Sequence, residues 1–320
     1  MLSSYASAAW ILSLNKMSLA FAKVTEGNKS RNIGLEIIKN TKAKIKIREQ
    51  NKLLEQIQLP LWEDGMRAVP NGILRSALFA AIQPGARKYM DGESITALGG
   101  VEIKYTGQQL DQGDLGVWEA VLHVAQQQNL GHRCYVSTYL LLSLLGLKDS
   151  GSNRKIIYKR LTRLVATALQ IKQGRQEYTG GLIMEALRDD DSGQMYIVIN
   201  PKIISLFQSD QYTKIHFELC RTLKRPVAQW LYRFYATHAS PRPMLFSTLY
   251  KLCGSNARSL NDFKKNTLRP ALAELEKVST RFGSAYVGKI CNGLVDMKKV
   301  GSTSQKKHLQ KKITVDKLPS

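Results

Sequence analysis

The chain repeats one pattern of three helical segments. A tryptophan-bearing apolar segment, a short segment closed by a glycine and a longer basic segment occur in residues 117–169 and again in residues 226–278. Alternating, strand-like segments follow each set. Three short helices followed by strands are the order of a winged helix-turn-helix, whose third helix is pressed into the DNA major groove. The sequence therefore predicts an α+β chain with two tandem winged-helix domains, each of which contacts DNA.

The charge of the chain favours a polyanionic partner. Its 320 residues include 47 lysines and arginines against 25 aspartates and glutamates, which gives a formal net charge of +22. Such an excess is typical of proteins that bind nucleic acid. Hydrophobic residues make up 43% of the sequence, so the chain can also bury real cores and general disorder is not expected.

The two ends of the chain carry much of this charge. Residues 1–57 hold ten basic and four acidic side chains, and residues 297–320 hold seven and one, so each end contributes +6. These arms either contact DNA or are solvated tails that aid solubility. We expect a flexible basic N-terminal extension at residues 1–57, with nascent helix from residue 32, and a basic disordered tail at 298–320. The first winged-helix domain then takes residues 58–210 and the second takes 211–297.

Local patterns place strands, helix starts and turns. Residues 101–105 and 213–219 alternate as half-buried strands should. Asp114 is suited to cap the tryptophan-bearing helix of the first repeat, and Pro226 suits the first turn of its counterpart. Two hairpins are expected, one from residues 181–187 and 195–199 as the wing of the first domain, and one from 286–290 and 294–297 around Asn292-Gly293.

The basic segment of the first repeat predicts an amphipathic helix over residues 153–164. Ile157, Leu161 and Leu164 fall on one side at helical periodicity, which makes that side the core stripe. A cationic helix face is usually only solvated surface, but its place as the third helix of a repeated unit favours DNA contact. The candidate DNA-contacting residues are Arg154 together with the outward-facing Lys155, Tyr158, Lys159 and Arg163.

The second basic segment is less regular. Lys264 projects toward the core side if the helix is straight, so Pro270 is expected to kink or restart it. Residues just before a recognition helix present side chains to base edges, where arginine pairs with guanine and asparagine with adenine. Lysines more often contact phosphates. The candidate residues of this segment are Asn256, Arg258, Lys265, Asn266 and Arg269.

A short apolar peptide lies between the basic arm and the first domain. It consists of Gln58, Leu59, Pro60, Leu61 and Trp62, and its proline favours an extended backbone. Such a peptide could insert its apolar side chains into the pocket of a partner. Alternatively, it marks where the chain enters the domain, with Leu61 and Trp62 packed on that domain. The pattern alone favours packing.

Signals of catalysis or cofactor binding are weak. The sequence has no G-x-x-x-x-G-K-[ST] phosphate loop, its five histidines form no H-x-H or H-E-x-x-H pair, and its four cysteines show no C-x-x-C spacing. It has no run of about 18 uncharged apolar residues, so neither a signal peptide nor a membrane span is expected. We expect a non-enzymatic protein of a reducing cytoplasm that needs no cofactor or metal.

Several runs of residues resemble the TrfA-type replication initiators of broad-host-range bacterial plasmids. The resemblance covers residues 58–297, and the runs are specific collectively, whereas each alone is weak. The runs are Gln58-Leu59-Pro60-Leu61-Trp62, Val69-Pro70-Asn71, Arg75-Ser76-Ala77-Leu78-Phe79, Ile103-Lys104-Tyr105-Thr106-Gly107 with Leu110, Leu206-Phe207, Tyr212-Thr213-Lys214 and Leu252-Cys253-Gly254-Ser255.

The resemblance implies a non-enzymatic plasmid replication initiator with tandem winged-helix domains. Such a protein binds repeated origin sequences, called iterons, promotes opening of an AT-rich element and recruits host replication proteins. The implied partners are double-stranded origin DNA, single-stranded AT-rich DNA, the bacterial sliding clamp, the replicative helicase and the host initiator, with a homodimer as a stored form. Gln58, Leu59, Leu61 and Trp62 resemble the Q-L-x-L-F box for the sliding clamp, with Trp62 in the last position, which reverses the preference for packing.

Two other functions are open to a chain with these features. A sequence-specific transcriptional repressor would use the same winged-helix domains, and a nicking enzyme would use one of the 13 tyrosines as its nucleophile. The clamp-like peptide favours initiation, and the missing metal-ligand motif disfavours nicking. Direct repeats beside an AT-rich segment near the gene would indicate initiation, whereas one inverted repeat over a promoter would indicate repression.

Overall fold

The computed structural model describes residues 58–306 except for 84, 86, 129, 175, 190–193, 208–210 and 303–304, together with 39, 41, 42 and 44. The chain divides into two units, Met1–Glu55 and Gln56–Ser320. The four described residues of the first unit are helical. The rest of the helix expected from residue 32 and the part of the expected tail beyond residue 306 lie outside the described residues.

The elements before the first repeat are short strands and one helical turn. They are β1 (Met66–Pro70), α1 (Asn71–Leu74), β2 (Phe79–Ala80), β3 (Tyr89–Ile95), β4 (Val101–Gln108) and β5 (Leu110–Asp111). Ile103, Tyr105 and Gly107 of β4 are buried and alternate with less buried residues, because successive side chains of a strand point to opposite faces. The strand expected at residues 101–105 is therefore confirmed.

Both helical repeats are present and follow the same element order. The first consists of α2 (Gln112–Ala125), β6 (Arg133–Ser137), α3 (Thr138–Leu144) and α4 (Gly151–Val165), then β7 (Ala168–Gln173), β8 (Gln176–Gly180), β9 (Glu185–Arg188) and β10 (Gln194–Val198). A 3-10 helix (Pro201–Phe207), β11 (Tyr212–His216) and α5 (Phe217–Thr222) connect the repeats. The second consists of α6 (Pro226–Ala236), β12 (Met244–Leu245), α7 (Phe246–Leu252), α8 (Leu260–Asp262), a π-helical segment (Phe263–Leu268), α9 (Arg269–Arg281), β13 (Tyr286–Cys291) and β14 (Leu294–Lys299).

The sheets of the two repeats share one strand order. In the first repeat β10 pairs with both β6 and β9, and all neighbours are antiparallel. In the second repeat β14 pairs with both β12 and β13, again antiparallel. The strand before the second helix therefore joins the last strand of the following hairpin each time. Both expected hairpins are confirmed, and the fold mixes helices and strands as the sequence predicts.

The turn of the second hairpin has the expected chemistry. Asn292 and Gly293 both have positive φ, at 48° and 78°, the backbone that a tight two-residue hairpin turn needs. Pro226 is the first residue of α6, also as predicted, because a proline lacks an N–H that the first helical turn does not use.

The helix that carries Trp118 begins earlier than expected. Its N-cap is Asp111 and not Asp114, which is the third residue of α2. The Asp111 carboxylate accepts a hydrogen bond from the backbone N–H of Asp114 at 2.8 Å, and the Asp114 carboxylate accepts one from the backbone N–H of Asp111 at 3.0 Å. This reciprocal capping box satisfies backbone groups that a helix start leaves unpaired.

The strand expected at residues 213–219 is also shorter than predicted. It ends at His216, and α5 begins at Phe217. The His216 side chain caps that helix by accepting a hydrogen bond at Nδ1 from the backbone N–H of Leu219 at 3.4 Å. Alternating residues therefore continue across a change from strand to helix.

The second basic helix contains the expected interruption in another form. A π-helical segment lies between α8 and α9, and its wider turns shift the phase of the side chains. Phe263 and Leu268 are both buried as a result, while Lys264 is half-buried with its Nζ 5.5 Å from the centroid of the Phe246 ring. Pro270 follows the irregular segment and lies in the first turn of α9.

The two repeats share one hydrophobic core. β1 pairs with β11 along its whole length, which brings the start of the second unit beside the connection between the repeats. The Trp230 indole of α6 donates to the backbone oxygen of Ser76 at 3.2 Å. Buried apolar residues of both repeats form a single cluster. The cationic helices of the two repeats thus pack on one shared hydrophobic core.

The C-terminal strand extends into the expected tail. β14 continues to Lys299, and the Gln305 side-chain amide donates to the backbone oxygen of Ala236 at 2.7 Å. Lys299 Nζ donates to the same oxygen at 3.3 Å. These contacts correct the expectation that the tail starts after residue 297.

Candidate nucleic-acid interface

The basic helix of the first repeat presents lysines to solvent. Ile157, Leu161 and Leu164 of α4 are buried, as the apolar stripe predicts. Lys155 and Lys159 are exposed. Residues four apart lie on the same face of a helix, so the two ammonium groups form one cationic strip.

Neighbouring side chains order two further candidates, Arg154 and Tyr158. The Arg154 guanidinium donates two hydrogen bonds to the Asp149 carboxylate, at 2.6 and 2.7 Å. Tyr158 is half-buried, and its hydroxyl lies 2.7 Å from Thr138 Oγ1. The Arg188 guanidinium lies 4.1 Å from the centroid of the Tyr158 ring, a favourable cation–π distance. Arg188 of β9 therefore links the hairpin to α4, and no local sequence pattern predicts this contact.

Arg163 does not lie on the exposed face, contrary to the prediction. Its Nη2 and Nε donate to the two oxygens of the buried Asp114 carboxylate, at 2.6 and 3.2 Å. Arg160, one turn earlier, donates from Nη1 to Asp111 Oδ1 at 2.9 Å. Helical periodicity alone assigns Arg163 outward, because the buried carboxylate belongs to α2 and not to the helix itself.

Five charged side chains form a buried charge cluster between α2 and α4. Arg87 joins it by donating to Asp111 and, at 3.2 Å, to Asp114. Burial alone would raise the pKa of Asp111, but the positive charges of Arg160 and Arg87 outweigh burial and lower this pKa. Burial raises the pKa of Asp114, and the hydrogen bond from Arg163 opposes that shift. The cluster ties the cationic helix to the start of α2.

The candidate residues of the second repeat are all exposed. They are Asn256 and Arg258 in the connection between α7 and α8, Lys265 and Asn266 in the π-helical segment, and Arg269 at the start of α9. The Asn266 side-chain amide donates to Asp262 Oδ1 at 2.7 Å. The backbone N–H of Arg258 donates to the other oxygen of that carboxylate at 3.3 Å. Asp262 therefore links the connection that carries Arg258 to the π-helical segment that carries Asn266.

The peptide at residues 58–62 packs on its own unit. Of its four candidate residues, Gln58 and Leu61 are exposed, Leu61 at 69%, whereas Leu59 and Trp62 are buried, at 3% and 7%. The Trp62 backbone N–H donates to Gln126 Oε1 at 3.0 Å, and its indole Nε1 donates to His123 Nδ1 at 3.1 Å. Of the two side chains that the packing alternative places on the domain, Trp62 is packed there and Leu61 is exposed.

His123 accepts the indole hydrogen bond as a neutral ring. Burial lowers the pKa of His123 to about 4, the charge of Arg67 adds to this shift, and Asp64 opposes it. The Gln126 side-chain nitrogen lies 3.0 Å from the same Nδ1. Protonation of Nδ1 would remove the acceptor that holds Trp62.

The histidines, cysteines and helices supply no further site in the part of the chain that the structure describes. Among those residues, no three His, Cys, Asp or Glu side chains are placed to hold a metal ion. Cys134, Cys220 and Cys253 are buried free thiols, and Cys291 is an exposed one. Within the described ranges, no helix has the length and apolar character needed to cross a membrane.

The sequence as a whole matches one protein family. The family described as TrfA protein matches residues 21–294, which is most of the chain. The chain belongs to the TrfA family. The family resemblance identified from the sequence motifs is thereby confirmed, and the match also includes much of the N-terminal arm that those motifs leave unplaced.

Two curated relatives and two solved structures illustrate the similarity of this TrfA family member to known proteins. Plasmid replication initiator protein TrfA from Escherichia coli is 29% identical over 238 residues, which cover 72% of this chain and 61% of that protein. RepFIB replication protein A from Salmonella typhi is 24% identical over 188 residues, or 55% of this chain and 57% of that protein. The chain thus spans about three fifths of the length of these relatives.

The solved structures are less similar in sequence. The crystal structure of RctB domains 2-3 has a TM-score of 0.48 and 17% identity and covers 74% of this chain and 99% of that one. The Pi initiator protein in complex with iteron DNA has a TM-score of 0.48 and 12% identity and covers 76% of this chain and 100% of that one.

Proposed function

We propose that this chain is a plasmid DNA replication initiator that binds repeated origin sequences through both helical repeats. Its membership of the TrfA family carries the proposal, because the relative from Escherichia coli is named as a plasmid replication initiator. A net charge of +22 supports a polyanionic target, since neutralising phosphates with basic side chains releases counterions.

Each repeat is proposed to be a winged helix-turn-helix domain, with the first at residues 58–210 and the second from residue 211 to the end of β14 at Lys299. The shared strand order supports this proposal, because in both repeats a strand before the second helix joins the terminal hairpin. The recognition helices are then α4 and the helix formed by α8, the π-helical segment and α9. The β9–β10 and β13–β14 hairpins are the wings.

The exposed candidates divide by chemistry. Lys155 and Lys159 are flexible point charges suited to phosphates, and Arg154 and Tyr158 flank them on α4. Arg163 is not among the proposed contacts, because its guanidinium is paired with the Asp114 carboxylate. In the second repeat, Asn256, Arg258, Asn266 and Arg269 have the donor geometry for base edges, and Lys265 is suited to phosphate.

Footprinting on the DNA that flanks the gene tests this function. The purified full chain should protect a series of direct repeats beside an AT-rich segment, and the protected duplex then serves as the repeat duplex for further binding assays. Protection of one inverted repeat over a promoter would instead indicate a transcriptional repressor. The proposal would be overturned if the chain protected none of the flanking DNA at concentrations at which it does not bind a scrambled duplex.

The later steps of initiation are proposed from the same family membership. The chain would promote opening of AT-rich DNA, bind the exposed single strand and recruit the replicative helicase and the host initiator, with a homodimer as its stored form. It would act without enzymatic activity of its own, beside plasmid DNA in the bacterial cytoplasm. Incubation with supercoiled origin DNA and Mg²⁺ should therefore give no nicked circles above background.

Sliding-clamp binding by residues 58–62 is proposed with one condition. Because Leu59 and Trp62 are buried, the peptide must leave its packing site before these side chains can enter a clamp pocket. The exposed Leu61 and Gln58 are accessible without that release. Clamp capture should therefore be weaker for the folded chain than for a free peptide of residues 56–64.

A further inference from the structure

A glycine of α2, Gly113, leaves room for an arginine of α4, the proposed recognition helix. A Cβ atom built on Gly113 would lie 1.8 Å from Arg160 Nη1 and 2.2 Å from Arg160 Cζ. Gly113 lies inside α2, and its φ is not in the left-handed region, so its backbone does not require glycine. Alanine favours a helix more than glycine does. Glycine at position 113 therefore provides the space that the Arg160 guanidinium occupies.

Arg160 uses this space to reach two carboxylates. Its Nη1 lies 2.9 Å from Asp111 Oδ1 and 3.5 Å from Asp114 Oδ1. Asp111 is itself fixed as the N-cap of α2. The contact therefore joins a side chain of α4 to the N-cap residue of another helix.

The position of Arg160 on α4 gives this contact a mechanical consequence. Arg163 is on the same side of the helix, three residues later, and it is held by Asp114. Two anchored arginines one turn apart restrict both the rotation of α4 about its axis and its tilt on α2. The rotation of α4 decides which base edges the flanking Arg154 and Tyr158 face, as well as where the exposed Lys155 and Lys159 point.

We propose that Arg160, seated over Gly113 and held by Asp111, is a positioning residue that sets the rotation of α4 for sequence-selective DNA binding. The proposal rests on the proposed function, since it assumes that α4 contacts duplex repeats. Arg160 is 18% exposed and its guanidinium is engaged by carboxylates, so it acts through the helix and does not itself contact DNA.

Gly113→Ala separates this role from a general contribution to stability. The new methyl group displaces the end of a flexible arginine, while the substitution itself favours the helix. Gly116→Ala is the matched control, because its Cβ would meet only Leu145 Cδ2, at an ordinary contact distance of 3.7 Å. Thermal melting of both variants should stay within a few degrees of the wild type.

The binding readout is the ratio of affinities for the footprinted repeat duplex and for a scrambled duplex. Gly113→Ala should lower this ratio about tenfold, whereas Gly116→Ala should leave it unchanged. Arg160→Met, which retains the stem and removes the guanidinium without altering α2, should lower the ratio similarly. If Gly113→Ala melts at a clearly lower temperature than the wild type, Arg160→Met still tests the proposal.

A double-mutant cycle completes the test. If Gly113→Ala acts by displacing Arg160, it should have no further effect on the ratio in the Arg160→Met background. Unchanged ratios in both single variants, or additive losses in the double variant, would overturn the positioning role while the proposed function stands. A wild-type chain with no preference for the repeat duplex would overturn the proposed function and, with it, this inference.

Discussion

Arg233 of α6 donates two hydrogen bonds to the carboxylate of Glu119 on α2, at 2.9 and 2.7 Å, in the core between the two repeats. Both side chains are buried, with exposed fractions of 4% for Arg233 and 0% for Glu119. A third hydrogen bond runs from Arg233 Nη1 to Gln112 Oε1 at 2.8 Å. The relative placement of the two repeats thus depends on a fully paired buried charge.

Glu119→Gln should strongly destabilise the chain. Removing one partner of a buried ion pair leaves the other charge uncompensated, which costs about 3 to 5 kcal/mol in the free energy of unfolding. Glu218→Gln is the matched control, because Glu218 forms an equally short pair with Arg221 on the surface, at 2.7 Å. Such exposed pairs contribute only about 0 to 1 kcal/mol. Equal urea midpoints for the two variants would contradict the structural importance of Glu119.

Leu59→Ala and Trp62→Ala should each lower the free energy of unfolding. Truncating a buried leucine or tryptophan costs about 2 to 5 kcal/mol. Leu61→Ala, in the same peptide but exposed, should change stability by no more than about 0.5 kcal/mol. Urea unfolding distinguishes these outcomes. A Trp62→Ala variant as stable as the wild type would show that the peptide is not packed in solution.

Stability should fall between pH 6.5 and pH 5 through two histidines. Burial lowers the pKa of His123 to about 4 and that of His238 to about 4, although a backbone hydrogen bond at Phe234 partly opposes the second shift. In the unfolded chain, both groups return to a pKa of about 6.5. The unfolded state therefore binds more protons in this window, so acidification favours unfolding by up to about 1.4 kcal/mol per pH unit for each histidine.

Urea unfolding at pH 7.0, 6.0 and 5.0 measures this dependence. A His123→Gln/His238→Gln variant should show a shallower loss of stability over the same range, because neither position can then take up a proton. An identical slope in the variant and the wild type would assign the pH dependence to other groups.

Local sequence patterns predict the repeated elements because each pattern is complete within its own segment. The Asn292-Gly293 turn and the apolar stripe of α4 require no distant partner. The β7–β8 hairpin is not predicted, since β7 is specified by its pairing with β4, far earlier in the chain. The same limit explains why the alternation after His216 predicts a strand where the chain is helical.

The candidate site is predicted less completely for the same physical reason. Arg163 pairs with the buried Asp114 carboxylate, 49 positions away in the sequence. The Trp62 indole donates to the His123 ring, 61 positions away. Charged and amphipathic side chains are normally assigned to the surface unless a buried partner is known. Lys155 and Lys159, whose exposure follows from the helical period alone, are placed as predicted.

Arg258→Ala and Arg269→Ala should weaken binding to the repeat duplex by about 1 to 3 kcal/mol each if these side chains read bases. The loss should be larger for the repeat duplex than for a scrambled one. Lys265→Ala serves as the comparison, because loss of a phosphate contact should weaken binding to both duplexes alike. Equal losses on both duplexes for Arg258→Ala and Arg269→Ala would reassign them to the DNA backbone.

The dependence of repeat-duplex affinity on salt for a Lys155→Glu/Lys159→Glu variant is the most direct test of DNA contact by α4. The matched control is Lys104→Glu/Lys172→Glu, which changes the net charge equally at exposed positions on β4 and β7. If α4 contacts DNA, the first variant should lose most of its affinity, and its salt slope should fall by about two units, roughly one for each phosphate contact. The control should bind nearly as the wild type does. Equal binding by the two variants would show that the exposed face of α4 is not the DNA-contacting surface of the first repeat.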